Sequence, residues 1–137
     1  MNSTQSERKI LVIDDDPDYL KVTSVVLKAK NFNVVTAINP REAKEKLFAE
    51  KPDLIILDIM MDNLFDGYSL CHHIKTSKEC EEYKDIPVIF VSAVKERAGS
   101  RFTFDLREQG LCEPDDYLDK PVQPDVLIAR IEKLLKP

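Results

Sequence analysis

Ile10-Leu11-Val12-Ile13 and Leu54-Ile55-Ile56-Leu57 are unbroken apolar runs, and each ends in acid: Asp14-Asp15-Asp16 after the first, Asp58 after the second. Runs this short and continuous suit strands buried on both faces of a parallel sheet. The first strand is expected over residues 10–14 and another over Leu54 to Asp58. Between them, Asn33 to Ala37 carries the β-branched Val34, Val35 and Thr36. Ile86 to Ser92 centres on Val88-Ile89-Phe90-Val91, and Asp116-Tyr117-Leu118 is a short fifth candidate. Helical spacing fills the gaps. Asp16-Pro17 and Asn39-Pro40 each set a capping side chain before a proline at the first helical position. Leu20, Thr23, Val26 and Leu27 then stripe a helix from Pro17 to about Lys30, and Ala43, Leu47 and Phe48 mark a second that Pro52 closes. Leu70, Cys71 and Ile74 form the inner stripe of a third helix after Gly67. A fourth is expected near residues 100–110, with Ser100 as cap, Phe102 and Leu106 stacked, and Gly110 as stop. Pro124 opens the last, striped by Leu127, Ile131, Leu134 and Leu135.

Strict alternation of apolar strands with helices predicts a doubly wound α/β sandwich: a five-stranded parallel sheet, covered on both faces, with right-handed crossovers. At 137 residues the chain makes one domain, with residues 1–8 as a polar tail and 9–137 as the folded unit. A net charge of -5 and the lack of any Lys/Arg cluster argue against nucleic acid or anionic membrane as the main partner. No apolar run approaches the roughly 18 residues that span a bilayer, so a cytoplasmic protein is expected. Cys71, Cys80 and Cys112 lack metal-ligand spacing, which fits reduced structural thiols.

The chemistry gathers at one edge. If the two acid-terminated runs are neighbours, Asp14, Asp15, Asp16 and Asp58 meet at the carboxyl ends of the strands, where ligands bind in such sheets. Two unit charges about 4 Å apart repel by roughly 4 kcal/mol at the effective dielectric near a protein surface, so these carboxylates must bind metal, take up protons or spread apart. A carboxylate kept ionised beside a metal is a nucleophile in waiting. Asp16 is better read as a helix cap. Ser92 and Lys120-Pro121 end the later strands at the same edge. His72-His73, mid-helix and without a partner motif, reads as ordinary half-buried or exposed histidine.

In this order, I-L-V-I-D-D-D-P, P-D-L-I-I-L-D-I-M-M, D-G-Y, P-V-I-F-V-S-A and D-Y-L-D-K-P, running from Ile10 to Pro121, resemble the receiver domain of two-component response regulators. The resemblance covers nearly the whole chain. It implies the flavodoxin-like strand order 2-1-3-4-5 with five helices. It also implies Asp58 as phosphoacceptor, taking a phosphoryl group from a sensor histidine kinase or a histidine phosphotransfer protein. Asp14, Asp15, Asp58 and the backbone carbonyl of Met60 would hold Mg²⁺, with Asp14 acting through water; oxygen donors and retained waters are what Mg²⁺ prefers. Lys120 and Ser92 would share the transferred charge. Ser92 and Tyr117 would form the switch: the hydroxyl moves toward the phosphoryl group, the ring turns inward, and the face of the fourth helix, fifth strand and last helix is remodelled. The Lys120–Pro121 bond is expected to be cis.

The loop after Asp58 departs from the family pattern. Asp62 stands where proline is common, and Asp66-Gly67 come one residue late. Asp62 is expected to point away from the metal. Met60 and Val94 cannot hydrogen-bond a hydrolytic water, which predicts a phosphoryl-aspartate lasting minutes to hours, on the order of slow receivers. The segment between Ser92 and Lys120 is longer than usual. Two other classes compete. An aspartate-based phosphatase would want a second acid where Met60 stands, and a cap domain. A pseudo-receiver, a pure interaction module, would have little use for Asp14, Asp15, Asp58 and Lys120 together. The partner downstream is an effector protein or a tethered output domain, with no direct nucleic-acid or membrane contact. A polar leader after Met1 fits a natural start, and an end just after the last helix suits an excised domain equally.

Overall fold

A computed structural model describes residues 8–58, 66–92 and 114–135. Its strands are β1 (Lys9–Ile13), β2 (Asn33–Ala37), β3 (Leu54–Asp58), β4 (Val88–Ser92) and β5 (Asp116–Asp119). They form one sheet in the order β2-β1-β3-β4-β5, with every neighbouring pair parallel. Helices α1 (Pro17–Ala29), α2 (Pro40–Glu50), α3 (Asp66–Thr76) and the C-terminal α4 (Pro124–Leu135) alternate with the strands, and a 3-10 helix (Lys78–Tyr83) follows α3. The helix expected near 100–110 lies outside the described residues.

Because side chains alternate along a strand, one sheet supplies two cores. Ile10, Val12, Leu54, Ile56, Ile89, Val91 and Leu118 pack with Leu20 and Leu27 of α1 and Leu127 and Ile131 of α4. Leu11, Ile13, Ile55, Leu57, Val88 and Phe90 face the other way, toward Ala43 and Leu47 of α2 and Leu70 and Ile74 of α3. Both faces of β3 are fully covered, so its run is apolar at every position until Asp58.

The caps hold as the residue types predict. Asp16 accepts from the Asp18 amide, while Asn39 accepts from Glu42 at 2.7 Å and Glu42 Oε1 accepts in return from the Ile38 amide. Lys51, at φ 51°, closes α2 in the left-handed region. The Lys120–Pro121 peptide is cis. Strand boundaries differ slightly from expectation. β1 stops at Ile13, although the Asp14 amide still donates to Ala37 at 3.1 Å. β4 begins at Val88, since the Ile86 amide is taken by Tyr83. Cysteine needs a correction. Cys71 is disulfide-bonded, against the expectation of reduced thiols, while Cys80 is a free buried thiol. Spacing along the chain does not reveal which thiols a fold brings within bonding reach.

Candidate functional site

β1 lies between β2 and β3, so the winding reverses there and leaves a crevice at the carboxyl ends. Register does the rest. Ile13 pairs with Leu57, so Asp14 and Asp58 leave adjacent strands at the same level. Asp58 pairs with Val91 and Ser92 with Asp119, so Ser92 and Lys120 each come one residue later, on the same edge.

Asp14 and Asp58 are buried, at 1% and 5% exposure, whereas Asp15 is open to solvent. One oxygen from each of Asp14, Asp15 and Asp58 lies within 4.8 Å of the others. Burying two carboxylates costs free energy unless charge or hydrogen bonds compensate. Asp14 Oδ1 accepts from the Asp16 amide at 2.9 Å, and its Oδ2 accepts from Lys120 Nζ at 2.7 Å. The same ammonium stands 3.6 Å from Asp58 Oδ2. Partial burial works against the charged Lys120, but the Asp14 bond and the charges of Asp58 and Asp14 outweigh it and raise its pKa. The opposite balance holds for Tyr19, where burial raises the phenol's pKa despite Thr23 and Lys120.

Among the described residues three carboxylates and one ammonium meet at this edge, and an all-oxygen donor set of this spacing fits a hard divalent cation such as Mg²⁺. A second group, His73, Glu79 and Cys80, also comes within 4.8 Å. There Glu79 is already paired with Lys44 at 3.0 Å and with His73, which holds its carboxyl below the usual glutamate range. That arrangement is an exposed ion pair. His72 and His73 are both half-buried, in keeping with the bland reading.

Of the residues singled out in the sequence, Asp14, Asp15, Asp58 and Lys120 converge. Ser92 is the last residue of β4, and half-buried Tyr117 packs against the core cluster that contains Phe90. Met60, Asp62 and Val94 lie outside the described residues. Tyr19 escaped notice. Lys120 Nζ sits 4.1 Å from the centroid of its ring. The available signal was an aromatic residue in the first turn of the helix that leaves the acidic edge.

Residues 10–132 match the family model described as "Response regulator receiver domain", and the chain belongs to that family. It is 35% identical over 133 residues to the "Probable transcriptional regulator ycf27" of Guillardia theta, covering 96% of this chain and 47% of the relative. To the "Alkaline phosphatase synthesis transcriptional regulatory protein PhoP" of Bacillus subtilis it is 31% identical over 129 residues, covering 94% of this chain and 49% of that one. The chain thus spans about half the length of these relatives. Among solved structures, the BeF3-activated receiver domain of Klebsiella pneumoniae RstA superposes with a TM-score of 0.76 at 27% identity, covering 95% of this chain and all (100%) of that one. A Clostridium difficile response regulator gives 0.75 at 29%, covering 94% and 96%. This is a receiver domain of a two-component response regulator. Among the described residues no helix is long and apolar enough to cross a membrane.

Proposed function

We propose that residues 9–137 form a phosphoacceptor switch in which Asp58 receives a phosphoryl group from a phosphohistidine. What carries the reading is convergence. Asp14, Asp58 and a lysine 106 residues beyond Asp14 meet at one sheet edge, with the ammonium hydrogen-bonded among acidic oxygens. A core alone has no use for buried, mutually repelling carboxylates.

In this reading an Asp58 oxygen forms a bond to phosphorus as the N–P bond breaks and the imidazole leaves. Asp14, Asp15 and Asp58, with the Met60 carbonyl, would hold Mg²⁺, which when bound neutralises charge on the phosphoryl oxygens. Lys120 supplies a second positive charge from the opposite side, and the Ser92 hydroxyl a hydrogen bond. As Lys120 and Ser92 close on the new charge, Tyr117 turns inward and the face built from the helix expected near residues 100–110, β5 and α4 is remodelled.

A protein donor is supported by the surface next to the site. Val25 on α1 and Ile38 after β2, 64% and 47% exposed, line one groove with Pro17 and Leu20 at the start of α1. A sensor histidine kinase or a histidine phosphotransfer protein is the donor, and an effector or tethered output domain the recipient. The net charge of -5 speaks against direct nucleic-acid contact by this domain. The setting is the cytoplasm.

Incubation with acetyl phosphate and Mg²⁺, followed by intact-mass measurement, tests this. One phosphoryl group per chain is expected, lost with Asp58→Asn and absent without Mg²⁺. Turnover of an added phosphomonoester would point instead to a phosphatase, and an unmodified protein to a bare interaction module.

A further inference from the structure

We infer that Tyr19 is a positioning residue whose aromatic face holds the Lys120 ammonium at the reacting edge while the carboxylates around it change partners. This rests on the phosphoacceptor reading above.

Lys120 Nζ is held on three sides: by Asp14 at 2.7 Å, by Asp58 at 3.6 Å and by the Tyr19 ring at 4.1 Å from its centroid. The last distance is well inside the ~6 Å over which a ring's quadrupole attracts a cation. The ring's own place is fixed. Tyr19 is in the first turn of α1, behind the cap formed by Asp16, and the Asp16 amide in turn donates to Asp14. Its hydroxyl is buried and lacks a hydrogen bond of good geometry, with Thr23 one turn along as the side chain facing it. The hydroxyl therefore points away from the chemistry and the π face toward it.

The two carboxylates on Lys120 are the groups that the reaction occupies. Once Asp14 turns to a metal, the lysine loses its shortest contact before the phosphoryl group is there to draw it in. A lysine on a flexible four-carbon stem has solvent as its alternative. The ring carries no formal charge, takes no part in either event and stays beside the ammonium throughout. A residue that only filled space would be replaceable by any apolar side chain of similar bulk.

The test compares Tyr19→Phe with Tyr19→Leu in the full chain. First-order phosphorylation by acetyl phosphate at saturating Mg²⁺ should change less than about twofold in Tyr19→Phe and slow about fivefold in Tyr19→Leu. Mg²⁺ affinity should be unchanged in both. By NMR, the Lys120 ε-methylene protons should be shifted upfield by the ring current in wild type and Tyr19→Phe, and return to ordinary lysine values in Tyr19→Leu. An unslowed Tyr19→Leu, a Tyr19→Phe as slow as Tyr19→Leu, or an unshifted Lys120 signal in wild type would each overturn the inference. Should Tyr19→Leu fail to fold, Tyr19→Met takes its place, and the wild-type signal needs no variant. A wild type that takes no phosphoryl group at all would refute the phosphoacceptor reading, and the positioning role with it; the NMR signal still reports whether the ring contact exists.

Discussion

Among the described residues, the Lys120 ammonium meets Asp14 and Asp58, and the distances decide which it serves before a metal arrives. Lys120 bonds Asp14 at 2.7 Å and merely approaches Asp58 at 3.6 Å. The lysine therefore competes with a cation for Asp14. We expect Lys120→Met to bind Mg²⁺ about three- to tenfold more tightly by calorimetric titration, since a neighbouring positive charge is gone, yet to accept phosphoryl at least about tenfold more slowly, since that charge is missing opposite the metal. An inert lysine would change neither. The pH dependence follows from sign. Lys120 is raised above its ordinary 10.5, so the folded state holds this proton more tightly than the unfolded chain. Its contribution to stability is complete below that value and is lost as pH climbs through the raised one. Tyr19, also raised, acts in the same direction. Alkaline unfolding should accordingly begin at higher pH in wild type than in Lys120→Met, whose Asp14 has no ammonium to hold. The acids of this site were legible because each ends an apolar run. Lys120 was not legible from its own surroundings, because its partner is 106 residues away, and only the order of the motifs pointed to it.

At the level of elements, capping and strand coverage explain why so much was readable. Asp16-Pro17 and Asn39-Pro40 announce helix starts by mechanism, and α1 and α2 begin where those pairs stand. The Asn39 and Glu42 side chains satisfy amides reciprocally at the start of α2. Asn39→Ala should cost about 1 kcal/mol in urea unfolding, with phosphoryl uptake retained because the Asn39 side chain is spent on the Glu42 amide. The 3-10 helix was not readable. Only Cys80 and Tyr83 of Lys78–Tyr83 are buried, three apart, too few to make a stripe. Its place is set by tertiary contacts: the Phe48 and Tyr83 rings meet at 6.0 Å, and Lys44 reaches Glu79. Phe48 illustrates the same limit, for it follows the helical stripe yet stays 38% exposed. Two ion pairs complete the frame, Lys9 with Glu50 and Lys44 with Glu79. Both glutamates are lowered from 4.5, Glu50 by its Lys9 bond and Glu79 by its Lys44 bond, so what they contribute is present above that value and fades as pH falls through the lowered ones.

Across the whole molecule, the two cores and the acidic edge pull in opposite directions. Burial of β1 and β3 on both faces stabilises the sheet, and the same burial carries Asp14 and Asp58 out of water beside each other. Among the described residues Lys120 offsets part of that repulsion, with its hydrogen bond going to Asp14. A fold held to this arrangement sacrifices stability for a site that a divalent cation completes. We therefore expect Asp58→Asn to melt at a higher temperature than wild type in the absence of Mg²⁺, by a margin equivalent to about 1 kcal/mol, a fraction of the roughly 4 kcal/mol that two charges about 4 Å apart exchange near a protein surface. Mg²⁺ should stabilise wild type in proportion to its occupancy, since a ligand that binds only the native state raises stability by mass action. In Asp58→Asn that increment should shrink, because one of the three oxygen donors has lost its charge. Thermal melts of both proteins across a Mg²⁺ series would show two curves converging or crossing as the metal is added. Parallel curves would mean that Asp58 contributes nothing to cation binding, and a variant less stable than wild type without metal would mean that the Lys120 contact, and not the repulsion, dominates the energetics of this edge.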